Sequence, residues 1–268
     1  MIFIFVILII FALYLLVIRG RTGNPELSKL RGWSYAHRGL HKKPQVGENS
    51  LTAFCLAAEK GYGAEFDVHL LKDGNLAVIH DSALKRTTGQ EGDVEDLTVE
   101  ELKNYRLEAS DDVIPTFRQV LDVFEGRAPV IIELKTKGGN AAKLCEAVCR
   151  ELDGYHGDYC IESFDPRCVY WLKRHRPSIV RGQLSQDFLK EPTGMGKVLD
   201  WVLGMLLCNF LTRPDFIAYR FSDRKKLSNR ICTKLYGVQG ASWTLKNRSD
   251  YDTAVNEGLL PIFEQFEP

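Results

Sequence analysis

Residues 64–81, AEFDVHLLKDGNLAVIHD, hold two short β-rich runs, 64–69 and 76–80, and both carry ionisable groups where a core strand would not. Glu65 and Asp67 stand two apart, so an extended chain turns both carboxylates to one face. His80 and Asp81 sit where the second run gives out. The pattern recurs outward in both directions. WSYAH (33–37) ends in His37 and Arg38, PVIIEL (129–134) carries Glu133 and meets Lys135, and YCIES (159–163) ends in Glu162 and Ser163. Further runs lie at 178–183 (SIVRGQ), 215–219 (DFIAY) and 238–243 (VQGASW), the last ending in Trp243. Helical patterns separate many of them. TFRQVLDVF (116–124) puts Phe117, Val120, Leu121 and Phe124 on one face, and AAKLCEAVCREL (141–152) aligns Leu144, Ala147, Val148 and Leu152. Eight short strands with interleaved helices predict a parallel (β/α)8 TIM barrel over residues 33–268, with a doubly wound sheet as the competing α/β arrangement. In a barrel the C-terminal strand ends share one mouth, so the ionisable groups converge there.

Composition narrows the chemistry. Thirty-five basic and 35 acidic residues leave a formal net charge of zero, which argues against a nucleic-acid partner. Seven cysteines are scattered without a CxxC pair, so neither a zinc site nor a disulfide framework is expected, and free thiols in a reducing compartment are. Residues 1–18, MIFIFVILIIFALYLLVI, carry no charge and reach about 27 Å as a helix. No basic residue precedes them and no small-residue cleavage site follows, so they read as an uncleaved transmembrane anchor. Arg19, Arg21, Lys29 and Arg31 all follow that stretch, and the positive-inside rule predicts a single-pass membrane protein with its catalytic domain in the cytoplasm. Residues 19–32, with Asn24-Pro25, read as a tether. The stretch 198–211, VLDWVLGMLLCNFL, is apolar nearly all round, which suits a buried helix or one lying in a membrane interface.

Like charges crowded at one mouth need a common ligand, because desolvating them together is costly. Glu65, Asp67 and Glu133 form an all-oxygen donor set, which suits one hard divalent cation, Mg²⁺ or Ca²⁺. Arg38 and Lys135 add fixed positive charge of the kind that clamps a phosphate. His37 and His80 are a pair suited to acid–base cleavage across it.

Those residues fall within an ordered set of motifs: AHRGL, ENS, EFDVHLLKDG, VIHD, LKRTTGQEGDVEDLTVEEL, IPTFRQVL, IELK, ESFD and SWT, over about residues 33–245. In this the chain resembles the glycerophosphodiester phosphodiesterases. The resemblance implies a (β/α)8 barrel and metal-dependent hydrolysis of glycerophosphodiesters to sn-glycerol 3-phosphate and an alcohol, within lipid and glycerol-phosphate metabolism. It implies His37 and His80 as the acid–base pair, Glu65, Asp67 and Glu133 as metal ligands, and Arg38 and Lys135 on the phosphate. Glu48 then lines the metal site with Asn49 supporting its loop, Trp243 forms an apolar wall, and Glu162 lies at the site's edge. Ser50, with Asn49, also suits the cap of a helix beginning at Leu51. Two departures stand out: His69 occupies a position where the family commonly has Gln, and NEGLLPIFEQFEP lacks the family's Thr-Asp-x-Pro ending. The competing readings are a membrane-associated lysophospholipase D and a membrane-tethered barrel that binds head groups without turnover.

Overall fold

The computed structural model describes all 268 residues except Met1 and Ala109. Its strands, in chain order, are β1 (Tyr35–His37), β2 (Gly63–Leu70), β3 (Leu76–Val78), β4 (Val130–Leu134), β5 (Tyr159–Ser163), β6 (Arg181–Ser185), β7 (Phe216–Arg220), β8 (Gln239–Leu245) and β9 (Leu260–Phe263). All except β3 pair in parallel with their neighbours, and β1 bonds to both β2 and β9. Eight strands therefore close a ring, as expected of a (β/α)8 barrel.

Two strand assignments change. The run at 76–80 is not a barrel strand: β3 folds back antiparallel on β2, with Val68 opposite Val78. The eighth barrel strand is β9, LPIF, between β8 and β1. His80 thus reaches the mouth from the return of a hairpin, which is tied down where Ile79 N–H donates to the Asp67 carbonyl at 3.1 Å.

The barrel interior is apolar through most of its depth. Tyr35, Ile131, Cys160, Leu184, Phe216, Ala218, Ala241, Leu260 and Ile262 fill it. Gly182 has no room for a side chain, because a Cβ there would enter the Phe216 ring. The segment read as a tether closes the floor. Asn24 caps a 3-10 turn, Pro25–Leu30, whose Leu27 and Leu30 join the interior core, and the Tyr35 hydroxyl donates to the Leu30 carbonyl at 2.7 Å. Outside the ring, the helices Leu51–Glu59, Phe117–Phe124, Ala141–Leu152 and Pro166–His175 lay their apolar faces over the strands. Ser50 caps the first and Thr116 the second, the latter in a reciprocal capping box with Gln119.

The expected membrane anchor is not met. Residues Ile2–Ile18 form a helix of 17 residues, about 26 Å long, against a hydrocarbon core of about 30 Å. Its last turns pack on the barrel, with Ile18 buried among Leu206, Ile217, Tyr219, Cys232 and Val238. Its terminal carbonyls accept from the Tyr236 hydroxyl (2.9 Å, Leu15), Asn209 Nδ2 (2.8 Å, Ile18) and the Cys232 thiol (3.2 Å, Ile18). Among the described residues no helix is long and apolar enough to cross a membrane. The single-pass assignment falls with that finding, and so does the cytoplasmic placement drawn from its flanking charges. The 198–211 stretch is not one buried helix: Lys197–Gly204 and Asn209–Thr212 are separate short helices, with Leu206 buried and Val198, Trp201, Phe210 and Leu211 exposed.

Under the floor, Asp215 serves two arginines. It accepts from Arg21 Nη2 at 2.7 Å and from the backbone N–H of Arg181, whose guanidinium is buried and lies 3.8 Å away. Removing that carboxylate strands a buried cation. Asp215→Ala is expected to cost about 3–5 kcal/mol, and Arg21→Ala, at a partly exposed partner, about 1 kcal/mol. Midpoints of urea unfolding at constant slope measure both; equal small losses would mean that Arg181 does not depend on Asp215.

Candidate active site

The mouth is built from the last inward position of nearly every strand. β1 brings His37, β2 Glu65 and Asp67, β4 Glu133, β5 Glu162, and β8 Trp243. Register puts Glu65 beside His37, Asp67 beside Glu133, and Glu133 beside Glu162. His37, Arg38, Glu65, His80, Glu133, Lys135, Glu162 and Trp243 all line one cavity of about 90 Å³, the volume of roughly three waters. Arg38 holds a left-handed φ of 57°, fixed because its N–H donates to the Glu65 carbonyl at 2.8 Å and its carbonyl accepts from Asn49 at 2.9 Å. Gly39 follows at φ 81°, where a Cβ would come within 2.8 Å of the Ala53 methyl.

Oxygens of Glu65, Asp67 and Glu133 lie within 4.8 Å of one another, and all three residues are buried. Their charge is unevenly compensated. Asp67 faces Lys135 Nζ at 3.0 Å and Arg38 Nε at 3.5 Å, and accepts from Asn49 Nδ2 at 2.9 Å. Burial works against its ionisation, but Lys135, His80 and Arg38 outweigh that and hold its carboxyl well below the usual range. Glu133 has Lys135 at 2.7 Å, yet burial and Asp67 push it up to about 7. Glu65 has no Lys or Arg side chain in ion-pair range among the described residues; burial, then Asp67 and Glu133, raise it well above a carboxylate's ordinary value. Three oxygen donors with surplus negative charge and no sulfur fit a hard divalent cation. Burial would lower Lys135, but Asp67 and Glu133 keep it raised, so it stays a fixed cation.

Each histidine is held by a carboxylate on Nδ1. His80 faces Asp81 at 2.6 Å, and Asp81 in turn pairs with Arg86. His37 faces Glu264 at 2.9 Å, with its Nε2 3.8 Å from Glu65. Glu264 is lowered to about 2 because the His37 hydrogen bond overcomes burial, so it stays ionised and accepts from Nδ1–H. Both arrangements leave Nε2 free for chemistry. Burial lowers both imidazoles, His80 to about 4, so both are neutral near pH 7 before an anion arrives.

Every predicted site residue lies in or beside this mouth. Glu48 sits one step back, where Arg38 Nη1 donates to it at 2.9 Å and Arg86 at 2.6 Å, with Lys43 also paired. These partners outweigh burial and keep it ionised, so it anchors Arg38 and does not join the three converging carboxylates. Trp243 stands edge-on to Phe164 (centroids 5.6 Å) and donates Nε1–H to the Ala218 carbonyl at 3.3 Å. His69 does not reach the cavity; Nδ1 meets Glu95 at 2.8 Å and Nε2 the His80 carbonyl at 3.2 Å, bracing the hairpin return. Sequence reasoning missed Glu264, Arg86 and the orienting role of Asp81. The adjacency of Asp81 to His80 was the available signal; Glu264 offered none, lying 227 positions from its partner.

Comparison with known proteins agrees with the fold and places the chain among phosphodiesterases. Residues 37–258 match the model of the "Glycerophosphoryl diester phosphodiesterase family". A glycerophosphodiester phosphodiesterase of Caldanaerobacter subterraneus subsp. tengcongensis is 30% identical over 237 residues, covering 84% of this chain and 90% of its own. One from Bacillus altitudinis is 41% identical over 169 residues, 59% of this chain and 68% of its own. Among solved structures, an Oleispira antarctica phosphodiesterase in complex with the product sn-glycerol-3-phosphate superposes with a TM-score of 0.73 at 22% identity, covering 91% of this chain and 95% of the other.

The raised carboxyls make cation binding a proton exchange. Binding of Mg²⁺ or Ca²⁺ is expected to release protons from the raised carboxyls and to weaken by about tenfold or more per unit as pH falls below about 7, where Glu133 takes up its proton beside the raised Glu65. Calorimetry in buffers of different ionisation enthalpy reads this directly, and Glu133→Gln lowers the pH slope. Affinity independent of pH across that window would contradict the assignment.

Proposed function

The chain belongs to the glycerophosphoryl diester phosphodiesterase family, and we propose that its barrel mouth hydrolyses a glycerophosphodiester to sn-glycerol 3-phosphate and an alcohol. The observation that carries this reading is the pairing of two histidines, each with Nδ1 occupied by a carboxylate, across one cavity that also holds Arg38 and Lys135. The product held by the Oleispira antarctica relative supports the choice of phosphate ester.

Arg38 and Lys135 bind the non-bridging oxygens and orient the phosphorus between the histidines. Both cations are pre-set, Arg38 by Glu48 and Lys135 by Asp67 and Glu133, so little reorganisation is needed when the anion enters. His80, lowered to about 4 chiefly by burial, is neutral and takes the proton of the attacking hydroxyl, which is water or the substrate's own glycerol hydroxyl; the latter gives a cyclic phosphate that water then opens to glycerol 3-phosphate. The new P–O bond forms as the bond to the alcohol breaks. His37 takes up a proton on Nε2 when the phosphate anion enters and delivers it to the departing oxygen, and ionised Glu264 at its Nδ1 stabilises the imidazolium that role requires. One divalent cation, held by Glu65, Asp67 and Glu133, supplies when bound further positive charge against the phosphate oxygens. Trp243 and Phe164 offer an apolar wall to the carbon skeleton.

His37→Ala and His80→Ala are each expected to lower turnover of glycerophosphocholine by about 10²–10⁴, with released glycerol 3-phosphate as the readout. Chelation should silence the enzyme and added Mg²⁺ or Ca²⁺ restore it. Wild-type rates in both histidine variants would sink the mechanism. Glu264→Gln keeps the shape of its side chain but loses the charge; kcat should fall about tenfold or more with KM little changed. An equal rise in KM would instead mark Glu264 as part of substrate binding.

A further inference from the structure

One group at the mouth is left over by the mechanism. Glu162 is 1% exposed, and its Oε2 is buried without a hydrogen-bond partner. Among the described residues no cation forms an ion pair with it, unlike Asp67 and Glu133 on the neighbouring strands. Buried carboxyl oxygens are rarely left so, because the desolvation cost is uncompensated. The side chain points inward, since Glu162 is the register partner of Glu133 and lines the same cavity. We propose that Glu162 is the subsite for a free hydroxyl of the substrate's glycerol moiety and makes the site selective for glycerol-bearing diesters. This rests on the phosphodiesterase reading of the mouth.

Three ligand chemistries compete for that oxygen, and the surroundings separate them. A phosphate oxygen would meet a like-charged or acceptor-rich group, while Arg38 and Lys135 offer it donors elsewhere in the cavity. A second cation would find one carboxylate where six or more oxygens are wanted, because Glu162 lies outside the converging set and its other cavity neighbours include Phe164, Leu184 and Trp243. A hydroxyl both donates and accepts, so it satisfies the carboxyl in either protonation state. Its carbon skeleton then lies against the Phe164 and Trp243 rings, which meet edge to face. A polyol ester needs this combination of one polar contact and an apolar wall, and a simple alkyl ester does not.

The test pairs substrate and protein changes in the full chain. Wild type, Glu162→Leu and Glu162→Gln are assayed on glycerophosphocholine, on its propane-1,2-diol and propane-1,3-diol analogues, which each lack one glycerol hydroxyl, and on bis(4-nitrophenyl) phosphate. Losing the hydroxyl that Glu162 binds should cost the wild type about 10–100-fold in kcat/KM and cost Glu162→Leu almost nothing further. Bis(4-nitrophenyl) phosphate carries no glycerol, so its change in kcat/KM between wild type and variant measures the loss that does not pass through a hydroxyl, and the loss on glycerophosphocholine should exceed it about tenfold or more. A hydroxyl that is itself the nucleophile behaves differently, since its loss stops wild type and variant alike. The proposal is overturned if every substrate slows equally in the variants, if Mg²⁺ affinity falls with Glu162→Leu, or if the wild type turns over both analogues as fast as the parent. That last result is read on wild type alone and stands even if neither variant folds. Wild type that cleaves bis(4-nitrophenyl) phosphate but no glycerophosphodiester would instead overturn the reading of the site.

Discussion

Four buried carboxyl groups share two half-buried cations at the mouth of this barrel, and most of what surrounds them follows from that imbalance. Glu65, Glu133 and Glu162 line one small cavity from three adjacent strands with Asp67 beside them, and among the described residues Arg38 and Lys135 are the Lys and Arg side chains that line it. A chain gains nothing in stability from such an arrangement. It persists because the apolar packing below and around it is extensive, and because Arg38 is fixed on its far side. Arg38 is gripped by Glu48, whose own ionisation is secured by Arg86 and Lys43. The result is a site with an unfilled demand for positive charge and for hydrogen-bond donors, which the proposed cation and the proposed polyol phosphate diester would together meet.

The histidines obey a different logic. Each is oriented through Nδ1 by a carboxylate, but the two carboxylates reach it by different routes. Asp81 is the next residue after His80 and travels with it on the hairpin return, braced from behind by His69 and Glu95. Glu264 follows the last strand and reaches His37 only because β9 closes the ring against β1. One proton carrier is thus preorganised locally and the other by the global topology, and burial lowers both imidazoles.

The contrast also explains what could be read from the sequence. Strand-end charges at i,i+2 spacing, helix caps such as Ser50 and Thr116, and the alternation of strand and helix patterns are local features, and they led to the barrel and to the carboxylates, cations and histidines at its mouth. Features set by distant partners were not legible. A short apolar run looks the same whether it joins the ring or folds back, so β3 was taken for a barrel strand although Asp73-Gly74 before it is a hairpin signal. The real eighth strand has four residues and includes Pro261, which argues against a central strand on local grounds. The N-terminal helix reads as an anchor by composition alone; its length and the side chains that cap its last carbonyls, from Asn209, Cys232 and Tyr236, decide otherwise.

The position of Glu264 has a bearing on how the enzyme comes into being. A ribosome releases His37 early and Glu264 only 227 residues later. The carboxylates of β2 and β4 can gather while the nascent chain is still growing, yet the ring is open and the first histidine unsteered until β9 emerges and docks. Ring closure by β9 therefore steers the first histidine, whereas the carboxylates of β2 and β4 are brought together by strand pairing that does not need it.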